Sequence, residues 1–139
     1  MGTSITTIPD FTVGDSTKAT PINLCFTDMS ELTTVGNVTV TASCSNVNFY
    51  NSPNVTTIGG FTNLGARVAN SYHTCNIYLN SLSQLTKQSI LNVFNTIADR
   101  TSFPSTSKGI IYLSATQYAT LTEEEIAIAT AKNWSVVSA

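Results

Sequence analysis

His73 is the only histidine in the chain, and Cys75 follows two residues later. A nucleophilic site of the Ser-His-Asp or Cys-His kind needs an imidazole to take the proton, so any such site here has to use His73. Cys75 reaches that ring only if the chain bends between them, and the spacing reads instead as a loop histidine beside a buried thiol. Glu123, Glu124 and Glu125 are adjacent, but they open a helix, where capping and the helix dipole explain them without a catalytic pair. Asp10, Asp15 and Asp28 lack the spacing of a calcium loop. Gly59-Gly60 has neither Walker nor Rossmann context. Cys25, Cys44 and Cys75 contain no CxxC pair, and with one histidine a zinc site has little to draw on. They read as three buried thiols. The sequence therefore predicts no enzyme, no cofactor, no catalytic residue and no metal ligand.

Aromatic and amide side chains are the better candidates. Tyr50, Tyr72, Tyr78, Tyr112 and Tyr118 are five tyrosines in a chain only 10% charged. Rings that stack and amides that donate and accept make a surface for sugar or protein. Asn37, Asn54 and Asn133 begin glycosylation sequons, which 13 Asn, 16 Ser and 23 Thr in 139 residues produce by chance.

The elements that position these side chains follow from a repeat. Ile5-Thr6-Thr7-Ile8, Leu32-Thr33-Thr34-Val35 and Val55-Thr56-Thr57-Ile58 each read aliphatic-Thr-Thr-aliphatic. Each continues into two turn formers and an apolar residue. A second signature is an apolar-polar-apolar triplet ahead of an aliphatic-Thr pair. The triplets are Ile22-Asn23-Leu24, Val47-Asn48-Phe49, Ile77-Tyr78-Leu79 and Ile111-Tyr112-Leu113. Their starts recur within the period of roughly 20–50 residues that marks a repeat architecture. One unit cannot bury its apolar face alone, so units stack and the triplets become neighbouring strands of a parallel sheet. The middle residues then point outward on one face, and Asn23, Asn48, Tyr78 and Tyr112 become the candidate binding residues. The alternative is that the two rings only pack on each other or under a neighbouring segment.

Turn signals dominate the first half, which reads as strands and loops. Beyond Thr86 the period changes: Ile90, Val93, Phe94 and Ile97 share a helical face, with Thr86 as N-cap. Thr122 with Glu125 forms a capping box for a second helix. Trp134 and Val136-Val137 close the chain as an apolar patch or last strand. The predicted fold is an α/β class, short leucine-rich-repeat-like solenoid with a parallel sheet, a strand- and loop-rich N-terminal half and two helices in the C-terminal half. Residues 1–20 are expected to form an N-terminal arm or cap, and 21–139 the solenoid with its C-terminal cap.

Val55-Thr56-Thr57-Ile58-Gly59-Gly60-Phe61-Thr62-Asn63-Leu64, Leu85-Thr86-Lys87-Gln88-Ser89-Ile90 and the run Leu121 to Trp134 resemble the C-terminal part of BspA-like leucine-rich-repeat proteins. That family occurs on bacterial surfaces and in phage virion proteins. The resemblance covers the chain from Val55 to Trp134 and implies a capped solenoid within a structural or adhesion protein; it brings no active-site residue.

Net charge is −2 and the six Lys and Arg are scattered. Nucleic acid is therefore not an expected partner. No apolar run is long enough to span a membrane, and Met1-Gly2-Thr3-Ser4 shows no signal peptide, though Met1-Gly2 with Thr6 fits the bare myristoylation pattern. The expectation is a non-enzymatic structural or interaction module of a bacteriophage virion (capsid, tail or fibre-associated). Its expected partners are proteins or a second copy of the chain, with a surface glycan as a further candidate. The alternative is a glycan- or host-surface-binding adhesin module, extracellular or on a bacterial cell surface.

Overall fold

Among the described residues, alternating apolar and polar side chains form nine short strands, and the two capped segments of the second half form helices. The computed structural model describes residues 5–139, so the Met1-Gly2 pattern lies outside the described residues. In chain order the elements are β1 (Thr7–Ile8), β2 (Phe11–Val13), β3 (Ile22–Cys25), β4 (Thr34–Val40), β5 (Cys44–Asn48), β6 (Thr57–Thr62) and β7 (Cys75–Tyr78). Then come α1 (Lys87–Thr96), β8 (Gly109–Leu113), α2 (Ala115–Ala119), α3 (Glu123–Thr130) and β9 (Trp134–Ser138). The fold is mixed α/β, with two sheets whose strand pairs are all parallel.

One sheet collects the aliphatic-Thr-Thr-aliphatic segments. β1 and β2 both pair with one side of β4, and β6 with the other. The register sets Thr7 beside Thr34 and Thr34 beside Thr57, then Phe11 beside Val38 and Val38 beside Phe61. The threonine preceding each strand has its own use. The amides of Thr33 and Thr34 donate to Thr6 O, those of Thr56 and Thr57 to Thr33 O, and that of Thr86 to Thr56 O. The Thr33 and Thr56 hydroxyls donate to the same two carbonyls, Thr6 O and Thr33 O, at 3.2 Å. A β-branched residue with a hydroxyl fits both the extended backbone and the column.

The other sheet has the order β3-β5-β7-β8-β9. Leu24, Val47, Ile77, Ile111 and Val136 share one register line, and its first four members point into the core. Three of the predicted triplets align as read. The first does not: Leu24 takes the place expected for Ile22, with a bulge between Ile22 and Asn23. Period-two alternation puts Ile22 and Leu24 on the same side, so a shift of two residues leaves no trace in the pattern.

Between the sheets lie Leu32, Val35, Val38, Val47, Phe49, Val55, Ile58, Phe61, Ile77 and Ile111, all fully buried. Beside β6, α1 takes the place of a further strand and packs Ile90, Val93, Phe94 and Ile97 into the core, the face predicted for it. Its polar side chains end the Thr-rich sheet. Ile58 N donates to Ser89 Oγ at 2.9 Å, Asn92 Nδ2 donates to Ile58 O at 3.0 Å, and Phe61 N donates to Thr96 Oγ1 at 2.8 Å. α3 begins at the predicted capping box of Thr122 and Glu125. Between the two expected helices sits a third, α2, opened by its own capping box of Ser114 and Gln117. Trp134 begins β9, the end strand of the five-stranded sheet. Its indole donates to Ala98 O at 2.8 Å, and a Cβ on Gly65 or Gly109 would lie 2.6 Å or 2.7 Å from the ring, so both positions need glycine. No helix among the described residues is long and apolar enough to cross a membrane.

Candidate functional site

The outward side of the five-stranded sheet is ruled into rows by its register. One row runs Asn23, Asn46, Asn76, Ile110 and Ser135. Its amides form a ladder: Asn46 Nδ2 donates to Asn23 Oδ1 at 3.0 Å, and Asn76 Nδ2 to Asn46 Oδ1 at 3.5 Å. The next row holds Cys25, Asn48, Tyr78, Tyr112 and Val137, since Asn48 follows Val47 as Tyr78 follows its register partner Ile77. No strand residue of this sheet is charged.

Asn48, Tyr78 and Tyr112 thus share a row, and Asn23 does not. The correction follows from the bulge at Ile22, which moves Asn23 into the amide ladder and puts Cys25 in its expected place. Cys25 is therefore an exposed thiol, in contrast to the buried one predicted, while Cys44 and Cys75 are buried. Tyr78 and Tyr112 stack with ring centroids 4.7 Å apart and planes 5° from parallel. Strand spacing in a sheet is about 4.8 Å, so the register alone delivers two rings at contact distance.

Beside this pair an open groove of about 820 Å³ has Ser30, Asn48, Tyr50, Tyr78, Asn80 and Ser81 among its lining residues. Tyr50 is 68% exposed, the most exposed large hydrophobic side chain among the described residues. Its turn is pinned on both sides. Asn51 Nδ2 donates to Asp28 Oδ1 at 2.8 Å, and Ser52 Oγ donates to Phe26 O at 2.7 Å while accepting from Met29 N at 3.0 Å. Phe49 points inward and stacks on Phe26 with centroids 5.0 Å apart. Tyr50 is among the five tyrosines the sequence points to, but its place across a groove from Tyr78, with Asn80 and Ser81 at the rim, is not in that reading. The available signal was position: Tyr50 and Asn80 each follow the last inward residue of a triplet, Phe49 and Leu79.

The histidine candidate assembles differently. His73 lies in the β6–β7 connection, and its carbonyl accepts from Arg100 Nη2 at 2.5 Å. Its Nε2 is buried with no hydrogen-bond partner among the described residues. Cys75 faces the core against Cys44, and that thiol contact together with burial pushes the Cys75 thiol well up. A thiol held protonated is a poor nucleophile. Arg100 is itself buried and donates to Gly65 O, His73 O and Ser107 O, with its guanidinium 3.9 Å from the Phe103 ring centroid. Burial draws its pKa below the usual value. Among the described residues no three His, Cys, Asp or Glu side chains come together as a metal site. Glu123, Glu124 and Glu125 fill the first turn of α3, where Lys87 Nζ lies 2.8 Å from Glu125. The Lys87 ammonium and the Thr122 amide hold the Glu125 carboxyl below the ordinary carboxylate range.

No protein-family model, no curated protein and no solved structure matches the chain.

Proposed function

We propose that this chain is a short leucine-rich-repeat-like solenoid, a non-enzymatic structural and interaction module carried on a bacteriophage particle as a capsid, tail or fibre-associated protein. The observation that carries the interaction role is the uncharged outer face of the five-stranded sheet, built from five separated segments into an amide ladder and a ring row. A partner can lie on such a face without stripping water from an unpaired ion. The register line through Leu24, Val47, Ile77, Ile111 and Val136 supports the repeat reading, since its members recur within the period of roughly 20–50 residues typical of repeat proteins. The BspA-like resemblance supports the particle or cell-surface setting. Co-sedimentation of a tagged chain with particles of the phage that encodes it tests the assignment. The chain is expected in the particle band, and Asn76→Lys with Ser135→Lys, which charge the face, is expected to shift it to the soluble fraction. A wild-type chain that stays soluble overturns the particle role; a charged-face variant that still co-sediments overturns the role of the face.

A second reading, a glycan- or host-surface-binding adhesin module, is favoured by the groove beside Tyr78.

A further inference from the structure

We propose that the groove between Tyr50 and Tyr78 is a site for a neutral saccharide, whose ring stacks on the face of Tyr78 that Tyr112 leaves free. The inference rests on the second reading above and names the residues and ligand class for it.

The row Cys25, Asn48, Tyr78, Tyr112 has two short side chains followed by two rings. Tyr112 covers one face of Tyr78. Beside the other face, the levels of Asn48 and Cys25 leave two strand spacings, about 9.6 Å, without a tall side chain. The row therefore ends in a step, and Tyr50 stands across the same groove. The step is preorganised. Stacking on Tyr112 holds one wall, and the hydrogen bonds of Asn51 and Ser52 hold the turn behind the other. Little side-chain freedom is then lost on binding.

The polar groups suit hydroxyls. The Asn48 amide makes only long contacts, 3.8 Å to Cys25 Sγ and 3.4 Å from Tyr50 N, and Asn80 and Ser81 are exposed at the rim. An amide offers a donor and an acceptor side by side, the pattern that vicinal hydroxyls match. The C–H face of a pyranose is the apolar partner an aromatic ring accepts. No lining residue carries a charge. A charged ligand would lose its water there with nothing to replace it. The groove's size lies within the usual span for small-molecule sites. A peptide adding as a strand is closed out, because β5 and β7 are paired on both sides.

The test is ligand-observed NMR of the whole chain with a panel of methyl pyranosides and neutral disaccharides at about 10 mM, followed by titration of the tightest. Saturation transfer to at least one sugar is expected, weakened about tenfold by Tyr78→Ala and by Tyr50→Ala. Glu124→Gln, exposed on α3 and away from the groove, should leave it unchanged. Asn48→Asp, nearly isosteric and charged, should weaken binding with the melting temperature held, which separates loss of the site from loss of the fold. Absence of transfer to every sugar overturns the site. So does binding that survives both tyrosine variants, or a proline-rich peptide that occupies the groove while the sugars do not. A chain that joins particles but binds no sugar sinks this inference and leaves the structural role standing.

Discussion

Arg100 holds three stretches of chain at one point. Its guanidinium donates to carbonyls of Gly65, His73 and Ser107, lies over the rings of Phe103 and Trp134, and has no carboxylate partner among the described residues. Arg100→Lys keeps the charge but replaces a planar fork with one point donor, leaving buried carbonyls without partners. It should cost about 3 kcal/mol in urea unfolding. Arg67→Lys, exposed over Tyr72, should stay within about 0.5 kcal/mol, and an Arg100→Lys chain equally unperturbed would contradict the assignment. Nothing near Arg100 in the sequence marks it out. Its partners lie 7, 27 and 35 residues away, and only folding brings them together. Tyr78 and Tyr112 were legible, because their row depends only on period-two alternation. Asn23 was misplaced for the same reason: alternation fixes which side a residue faces and leaves a two-residue shift undetermined.

At the scale of elements, α1 ends a sheet without leaving its edge bare. Ser89, Asn92 and Thr96 recur along one side of the helix and supply Ile58 N, Ile58 O and Phe61 N with partners. An unpaired strand edge is otherwise a template for another chain. Ser89 is fully buried, so Ser89→Ala leaves the Ile58 amide unsatisfied and should cost about 1–3 kcal/mol. Thr96→Val, close in shape, should cost a similar amount through Phe61 N. Thermal or urea unfolding measures both, and the prediction fails if either variant matches wild type. The apolar face and both main caps of the helices were readable from spacing. The polar stripe was not, since Ser, Asn and Thr on a helix look like solvent-facing residues until the strand beside them is known. The five-residue α2 is too short for periodicity, and only its Ser114–Gln117 box could have marked it.

For the whole molecule, the proposed solenoid makes each level an approximate substitute for the next. Leu24 and Val47 share a register line, as do Val35 and Ile58, and the two pairs are separated by the same length of chain. Deleting residues 24–46 would remove one level and join Asn23 to Val47. Thr57 would then lie beside Thr7, and Gly59 would replace Gly36, where a Cβ would run into Asp10. The shortened chain should keep a single cooperative unfolding transition, with a lower midpoint because one interface between levels is gone. A chain that emerges unfolded would show that the levels do not behave as units. The exchange of strand for helix at α1 also has a geometric result. Strands pack about 4.8 Å apart and helices about 8–10 Å apart, so in the proposed solenoid the flank carrying α1 and α3 is taller than the flank carrying β7 and β8. Such wedges would stack into an arc with the helices outside and Tyr78 on the shorter, strand-bearing side.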